Sequence, residues 1–275
     1  MKGFCFQASL PLRIYGENVG CCRRKLMRLK LISCEIFFRE LCACVARSPH
    51  IIDFDFLPKG LHDIECAKMQ ARLQAAIDKV EERQYDALLM GYGLCNNGIV
   101  GLTTKSIPLV IPRGHDCITV FLGSAPRYME YFNTHPGVYF KTTGWVERGE
   151  ADGELGQLAL GNKLGLTQSY ESMVEKYGEE NAKYLWEEFG KNLARHYGQM
   201  TFIEMGIEPN GSFEQRARDD AAKKGWTFEK VPGDISLIQR LVNGEWDPKE
   251  FLVVPPGHQI VPSYDEGVIK SEAVA

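Results

Sequence analysis

Long apolar runs, a basic excess and an apolar N-terminal segment are all missing from this 275-residue sequence. The longest apolar runs, such as residues 87–90 and 251–254, are far too short to span a bilayer, which excludes transmembrane helices. The net charge of −4 gives no basic excess for nucleic acid or an anionic membrane surface. Because residues 1–26 lack the apolar core of a signal peptide, we expect a soluble, cytoplasmic protein.

Several catalytic and cofactor-binding signatures are also absent from the sequence. It has no dinucleotide-binding glycine fingerprint, no P-loop, no G-x-S-x-G nucleophile elbow and no H-E-x-x-H zinc helix. It also lacks the D-x-H-x-x-G motif of corrinoid-binding domains. Any chemistry must therefore depend on a less familiar arrangement of side chains.

Cysteine, by contrast, is abundant, with nine in the chain. Secreted disulfide scaffolds are shorter and denser in cysteine, so we expect free, ligating or catalytic thiols. Residues 1–26 hold three of the nine, carry five basic residues and one acidic residue, and show no sustained periodicity. We expect a disordered leader there, or a true start of translation at Met27, and a short amphipathic arm is the alternative.

The remaining sequence alternates strand-like and helical segments. This pattern predicts a Rossmann-like or flavodoxin-like α/β fold, with an open, mostly parallel sheet and helices on both faces. We expect one domain over residues 27–264 and a flexible tail over residues 265–275. Residues 125–166 are glycine-rich and less regular, and residues 167–197 are strongly helical. The predicted strands are residues 29–33, 51–57, 87–92, 107–112, 200–205, 227–231 and 251–254, and the predicted helices include residues 35–46, 63–84, 213–224 and 235–243.

Thiol and imidazole side chains follow three of the predicted strands. Cys34 comes directly after the first strand, Cys95 follows the third, and His115 and Cys117 follow the fourth. Because the carboxyl ends of parallel strands lie at one edge of a sheet, we expect these side chains to meet. Sulfur and nitrogen ligands suit zinc, so the sequence predicts a metal site made of these four residues.

Cys34 has a second possible role, as the catalytic nucleophile. It precedes a predicted helix, whose dipole would lower the pKa of the thiol. An alternative interpretation of Cys34 and Cys95 is that each is a small buried apolar residue, because free cysteine is often buried. We prefer that interpretation for Cys42, Cys44 and Cys66, which lie within helical segments.

The glycine-rich turn over residues 91–98 (GYGLCNNG) also predicts ligand contacts. Asn96 and Asn97 tolerate left-handed backbone geometry and offer hydrogen bonds, and Gly98 permits a tight turn into a helix. Arg113 is a candidate for binding a carboxylate or a phosphate. For the glycines we prefer the interpretation of a tight strand-to-helix turn that lets Cys95 face the pocket, and Arg113 could equally form a surface ion pair.

Three further side chains are candidates near the same edge. Asp116 is placed to orient the imidazole of His115. Glu35 is a possible catalytic acid or base beside Cys34. Trp145 is a candidate for stacking on a flat ligand, and its alternative role is to cover the core.

Five stretches carry a pattern known from other sequences: residues 31–35 (LISCE), 91–95 (GYGLC) with Gly98, 112–117 (PRGHDC) with 123–124 (GS), 143–147 (TGWVE), and 256–257 (PG). On these stretches the chain resembles the domain of unknown function 1638 family, over roughly residues 27–264. Members of that family occur largely in anaerobic bacteria and archaea, often encoded beside corrinoid-dependent methyltransferases. The resemblance therefore implies methyl transfer or one-carbon metabolism.

Two hypotheses from different functional classes follow. The first is a zinc-dependent enzyme that transfers a methyl group of a small-molecule substrate to a thiolate, or to a corrinoid protein or methyltransferase partner. The second is a non-catalytic accessory protein that binds a corrinoid, a metal ion or an iron–sulfur cluster for such a system. A third interpretation is a Rossmann-like small-molecule binder whose cysteines only pack in the core.

Overall fold

A five-stranded sheet forms the centre of the computed structural model, which describes residues 25–149, 155, 174, 178–183 and 197–274. Its strand order is β2-β1-β3-β4-β8. The first four strands run parallel, and β8 pairs antiparallel with β4. The bounds of these strands are β1 Arg28–Cys34, β2 Ile51–Leu57, β3 Ala87–Gly91, β4 Leu109–Pro112 and β8 Phe251–Val254.

Burial follows from the position of each strand in this sheet. The central strands β3 and β4 are buried along their whole length, which explains why they are continuous apolar segments in the sequence. In the middle of the sheet, Leu31 of β1 pairs with Phe54 of β2 on one side and Leu89 of β3 on the other. The edge strand β2 is only half-buried and alternates apolar residues with aspartates.

Two smaller sheets complete the strand arrangement. A second sheet of three parallel strands has the order β5-β6-β7, and an antiparallel pair joins β9 and β10. The expected tail over residues 265–275 is therefore wrong for β10, since Ile269 of that strand is fully buried against β9 and the core. The bounds are β5 Val138–Thr142, β6 Gln199–Glu204, β7 Thr227–Pro232, β9 His258–Pro262 and β10 Ile269–Ala273.

Seven helices of the described residues surround these sheets. The predicted helix over residues 63–84 is shorter than expected, because the carboxylate of Glu82 accepts hydrogen bonds from the backbone of Lys105 and Ser106 and ties the following segment to another loop. The bounds are α1 Phe38–Val45, α2 Cys66–Asp78, α3 Cys117–Leu122, α4 Ala125–Thr134, α5 Thr143–Glu147, α6 Ser212–Lys224 and α7 Ser236–Val242. Short 3-10 turns at Glu35–Phe37 and Lys59–Asp63 precede α1 and α2.

The first part of the supposedly irregular middle is in fact regular. Ser124 begins α4 by accepting a hydrogen bond from the backbone N–H of Arg127, and Thr142 begins α5 in the same way through Trp145. The glycines had suggested a loop, whereas these capping residues mark helix starts. The predictions for most of the leader and for most of residues 167–197 lie outside the described residues.

The direction of strand order reverses between β1 and β3. From β1 the chain crosses to β2 on one side, and from β2 it returns to β3 on the other side. Their carboxyl ends, at Cys34 and Gly91, therefore flank a crevice of the kind in which open α/β sheets bind ligands. No helix among the residues described is long and apolar enough to cross a membrane.

Candidate functional site

A cavity of about 580 Å³ opens at this crevice. Its volume lies within the range of pockets for small molecules. The thiols of Cys34, Cys95 and Cys117 contribute to its wall, so the carboxyl edge gathers three of the four predicted metal ligands. The other lining residues that matter below are Lys59, His62, Asp63, Met69, Tyr92, Asn96, Asp116, Tyr128, Phe132, Val138, Tyr139, Phe140, Lys141 and Trp145.

The loops after β3 and β4 run side by side, which brings Cys95 and Cys117 together. The backbone N–H of Leu94 donates to Gly114 at 2.8 Å, and that of Cys95 donates to His115 at 3.1 Å. Gly93 makes this approach possible, because a Cβ atom there would lie 2.6 Å from the carbonyl group of Asp116. As a result the thiols of Cys95 and Cys117 are hydrogen-bonded to each other.

This shared hydrogen bond shifts the pKa values of the two thiols in opposite directions. Donation from the Cys117 thiol lowers the pKa of Cys95, because it stabilises the thiolate form. The same bond, together with burial, raises the pKa of Cys117 well above its usual value. The pair therefore loses its first proton from Cys95 and holds the second on Cys117, which leaves Cys95 as the more acidic of the two thiols.

The environment of Cys34 differs from the one that the sequence predicted. It lies at the end of β1, before the 3-10 turn Glu35–Phe37, and no side-chain cap is formed there. Burial raises the pKa of this thiol to about 12, despite a backbone hydrogen bond at Ile36 that acts in the opposite direction. The expected activation by a helix N-terminus is thus wrong, because desolvation outweighs the backbone contribution, and Cys34 is a neutral thiol beside the pair.

The turn that carries Cys95 has an unusual backbone. Cys95, Asn96 and Asn97 have φ values of 37°, 54° and 59°, all in the left-handed region. Asparagine tolerates this region, whereas cysteine has no such preference. Three such residues in succession store strain of the kind that accumulates at functional sites, and here they aim Cys95 and Asn96 at the cavity.

The other two residues of the predicted ligand-binding turn do not line the cavity. The carbonyl of Asn97 accepts hydrogen bonds from Cys66 and Gln70, so it anchors the turn to α2. Gly98 is required by packing, because a Cβ atom there would lie 2.2 Å from the sulfur of Met69. Their contribution is to the position of Cys95.

His115 does not join the thiols. It is exposed, lies outside the cavity lining, and stacks on Tyr128 with ring centroids 6.2 Å apart. Asp116 also has a different role, since one carboxylate oxygen caps α3 at Ile118 and Thr119 and the other accepts from the Tyr128 hydroxyl at 3.2 Å. Its predicted contact with the imidazole is therefore replaced by a helix cap that turns His115 outward.

The residues described hold no group of three or more His, Cys, Asp or Glu side chains in an arrangement that would bind a metal ion. The thiol pair and Cys34 share the cavity wall, but the predicted tetrahedral set with His115 is not assembled. Any zinc at this position would use the three sulfurs, with the fourth position supplied by substrate or water, as catalytic zinc sites commonly do.

Arg113 and Glu35, two further candidates, stabilise the fold and do not line the cavity. The guanidinium of Arg113 donates to four backbone carbonyls, at Pro248, Phe251, Gly267 and Ile269. It ties the end of β4 to the segments around β8 and β10, in place of the predicted contact with a ligand anion. Glu35 lies outside the lining and accepts a hydrogen bond from the backbone N–H of Lys59 at 2.9 Å, which positions the loop that carries Lys59.

Trp145 takes the position predicted for it, at the cavity wall. The Lys59 ammonium lies 4.8 Å from the centre of its ring and donates to the carbonyl of Gly149. His62 packs edge-on against the same ring at 5.0 Å and is held by the carbonyl of Lys59. This arrangement provides an aromatic wall with a cation behind it.

Tyr92 is the most informative residue that sequence reasoning missed. It is 3% exposed, lines the cavity near Cys34 and Cys95, and its hydroxyl has no hydrogen-bond partner among the described residues. Tyr92 directly follows β3, so the rule that predicted Cys95, that ligands bind at the carboxyl ends of parallel strands, applies to Tyr92 as well. Strand β5 was missed as well, and its residues Val138, Tyr139, Phe140 and Lys141 close the cavity from the second sheet.

Fold and site together define a mixed α/β protein with a thiol-lined cavity at the carboxyl edge of a mostly parallel sheet. The chain belongs to the family described as protein of unknown function (DUF1638), whose sequence profile matches residues 56–242. The resemblance stated from the motifs is thereby confirmed, although the match leaves out Cys34, Glu35 and residues 256–257. No curated protein and no solved structure matches the chain.

Proposed function

We propose that this protein is a thiolate-dependent group-transfer enzyme, and specifically that it transfers methyl groups in anaerobic one-carbon metabolism. The observation that carries the proposal is the hydrogen-bonded pair of Cys95 and Cys117 in the switch-point cavity. A thiol whose pKa is lowered supplies more thiolate at a given pH, and thiolates are good acceptors of methyl groups. Family membership supports the metabolic setting only by the association of its members with methyltransferase genes.

The chemical step is a displacement at the methyl carbon. The Cys95 thiolate, or a substrate thiolate held beside it, forms a new S–C bond while the bond between the methyl carbon and the donor atom breaks. The donor atom keeps the electron pair. Cys117 keeps its proton during this step because its pKa is raised, so it stabilises the thiolate without competing as a nucleophile.

We propose, as an alternative state of the site, that Cys34, Cys95 and Cys117 hold a zinc ion. In that state all three thiols would be deprotonated, and Cys117 would no longer act as a hydrogen-bond donor. Zinc would keep the attacking thiolate deprotonated while leaving it nucleophilic. The soft donor set at one cavity supports this assignment. Among the described residues the three side chains are not arranged as a metal site, so they would have to draw together around the ion, and His115 contributes nothing to it. The methyl donor would be a small molecule in the cavity or a corrinoid protein that docks at its mouth.

We propose two further assignments, one for the topology of the main sheet and one for the location of the protein in the cell. The strand order β2-β1-β3-β4 agrees with the start of the flavodoxin-like order, and we propose a doubly wound topology whose fifth position is taken by the antiparallel β8. The six described cysteines are free thiols, which supports a reducing, cytoplasmic location.

Metal content is the first test. Anaerobically purified protein should contain about one zinc ion per chain by elemental analysis. Cys34→Ser, Cys95→Ser and Cys117→Ser should each lose the metal, whereas Cys42→Ser, on helix α1, and His115→Gln should retain it. Protein without metal, or with metal that survives all three substitutions, would refute the zinc assignment. A brown, oxygen-sensitive protein would instead support the accessory role with an iron–sulfur cluster.

Methyl transfer is the second test. Incubation with methylcobalamin and 2-mercaptoethanol should demethylate the corrinoid faster with the wild-type protein than with Cys95→Ser, as followed by absorbance. Cys42→Ser is the matched control and should behave as wild type. Equal rates for wild type and Cys95→Ser with every methyl donor tried would remove the basis for a thiolate-dependent transferase.

A further inference from the structure

The hydroxyl of Tyr92 is a buried donor without an acceptor among the described residues, and Tyr92 is one of the residues that line the cavity. Tyr92 is 3% exposed, and no described residue accepts a hydrogen bond from it. A tyrosine hydroxyl is protonated near neutral pH, so it remains a donor. Leaving such a group unpaired is unfavourable, and native proteins rarely do so outside functional sites.

The surroundings of Tyr92 define what a partner must look like. Aromatic side chains dominate the wall, including Tyr128 and Phe132, which stack on each other with centroids 5.8 Å apart, and Trp145. Stacked and edge-on aromatic walls favour flat rings over flexible chains. Lys59 also lines the cavity, with its ammonium 4.8 Å from the centre of the Trp145 ring, which disfavours a cationic ligand on that side.

We propose that the cavity binds a flat, ring-containing molecule with an oxygen acceptor, and that Tyr92 donates a hydrogen bond to this oxygen beside Cys95. The inference deepens the proposed function, on which it rests, by assigning the substrate class of the same site. Tyr92 thereby selects oxygen-bearing ligands and orients them toward the thiolate. It is a positioning and specificity residue of this cavity.

Tyr85 provides a matched control outside the cavity. Its hydroxyl donates to Asp53 at 3.0 Å, and Tyr85 is not one of the lining residues. Tyr85→Phe should therefore leave ligand selectivity unchanged, whereas Tyr92→Phe should abolish it. Because the Tyr92 hydroxyl has no partner among the described residues, Tyr92→Phe should fold normally, which thermal unfolding will verify.

The test compares 1-indanone with indane, which have the same flat ring system and differ by one carbonyl oxygen. Equilibrium dialysis of the full-length protein gives the dissociation constant of each probe. We expect Tyr92→Phe to weaken indanone binding by about tenfold and to leave indane within about twofold, because the lost hydrogen bond serves only the ketone. Tyr85→Phe should change the affinity for neither probe.

Each alternative outcome overturns the inference. An unchanged ratio in Tyr92→Phe would mean that the hydroxyl is satisfied by solvent, and no binding of either probe would mean that the cavity does not accept flat rings. The double variant Cys95→Ser with Cys117→Ser separates this inference from the proposed function. If that variant keeps the indanone selectivity while methyl transfer is absent in all proteins, the ligand class stands and the thiolate chemistry fails.

Discussion

Cys95 and Cys117 follow different strands, yet their thiols are hydrogen-bonded to each other. The pairing results from two adjacent loops at the carboxyl ends of β3 and β4, held by backbone hydrogen bonds between them. It gives the two thiols opposite shifts in pKa and so divides their chemical roles. Substitutions at positions 117 and 93 should therefore change the reactivity and the proximity of the two thiols.

Removing the donor at position 117 should make Cys95 less reactive. Cys117→Ala eliminates the hydrogen bond that lowers the pKa of Cys95, so less thiolate is present at pH 7. We expect alkylation of Cys95 by iodoacetamide to slow by roughly three- to tenfold in chelator-treated protein. Cys117→Ser, which retains a hydroxyl donor, should stay nearer wild type. Mass spectrometry of the labelled peptide should also find Cys34 unmodified, and equal rates in all three proteins would contradict the assignment.

An alanine at position 93 should separate the thiols. Its Cβ atom would collide with the carbonyl group of Asp116 and force the two loops apart. We expect the bifunctional reagent dibromobimane to cross-link Cys95 and Cys117 in wild-type protein and much more slowly in Gly93→Ala. Gly211→Ala is the control for a glycine to alanine change, because a Cβ atom there meets nothing within 4 Å and, as at Gly93, the backbone φ is not positive. Undiminished cross-linking in Gly93→Ala would show that the close approach is not needed.

Much of the main sheet was predictable because its strands are short apolar runs separated by helical periodicity. The predicted bounds of β2 and β8 agree with the structure, those of β1 differ by one residue at each end, and those of β3 differ by one residue at its carboxyl end. Nothing local in a strand specifies the sheet that it joins, so the assembly of β6 and β7 into a second sheet with β5 was not foreseen. The hairpin of β9 and β10 was missed because its strands are only partly apolar.

The sequence predicted those site residues whose position depends only on the end of a strand. The rule that ligands bind at carboxyl ends placed Cys34, Cys95 and Cys117 at one cavity. It failed for His115 because the direction of that side chain depends on a helix cap by Asp116, and for Arg113 because its carbonyl partners are far away in sequence. Burial, which controls the pKa of Cys34, depends on the packed structure and is not visible in the motif.

A buried carboxyl group away from the cavity should make stability depend on pH. Glu40 on α1 is 1% exposed, neither of its oxygens has a hydrogen-bond partner among the described residues, and burial raises its pKa to about 7. Glu208 and Glu147 act in the same direction as burial, and Arg39 opposes it.

A carboxyl whose pKa is higher in the folded chain takes up a proton on folding, so stability is lost as pH rises toward 7. We expect Glu40→Gln to gain roughly 3 kcal/mol in unfolding free energy relative to wild type between pH 4 and pH 8. Urea unfolding at several pH values measures this difference, with the exposed Glu180→Gln as control. A difference that is independent of pH would mean that Glu40 is ionised in the folded chain.

Substitutions of Arg113 should distinguish a structural role of this side chain from the ligand contact that the sequence predicted. Its guanidinium donates to carbonyls of four residues between Pro248 and Ile269, and these lose their partner in Arg113→Met. We expect this change to lower the unfolding free energy by about 2–4 kcal/mol, because the carbonyls are left partly buried and unpaired. The exposed Arg216→Met on α6 should cost less than about 0.5 kcal/mol.

Lysine at position 113 keeps the charge but cannot reach several carbonyls at once, so Arg113→Lys should fall between wild type and Arg113→Met. Denaturant unfolding of the three proteins, together with dialysis of 1-indanone, separates the two roles. A structural role predicts loss of stability, with indanone affinity retained under conditions where each variant is folded. Normal stability combined with weaker binding of the ketone would instead place Arg113 at the ligand and would require the region around β4 and β10 to rearrange.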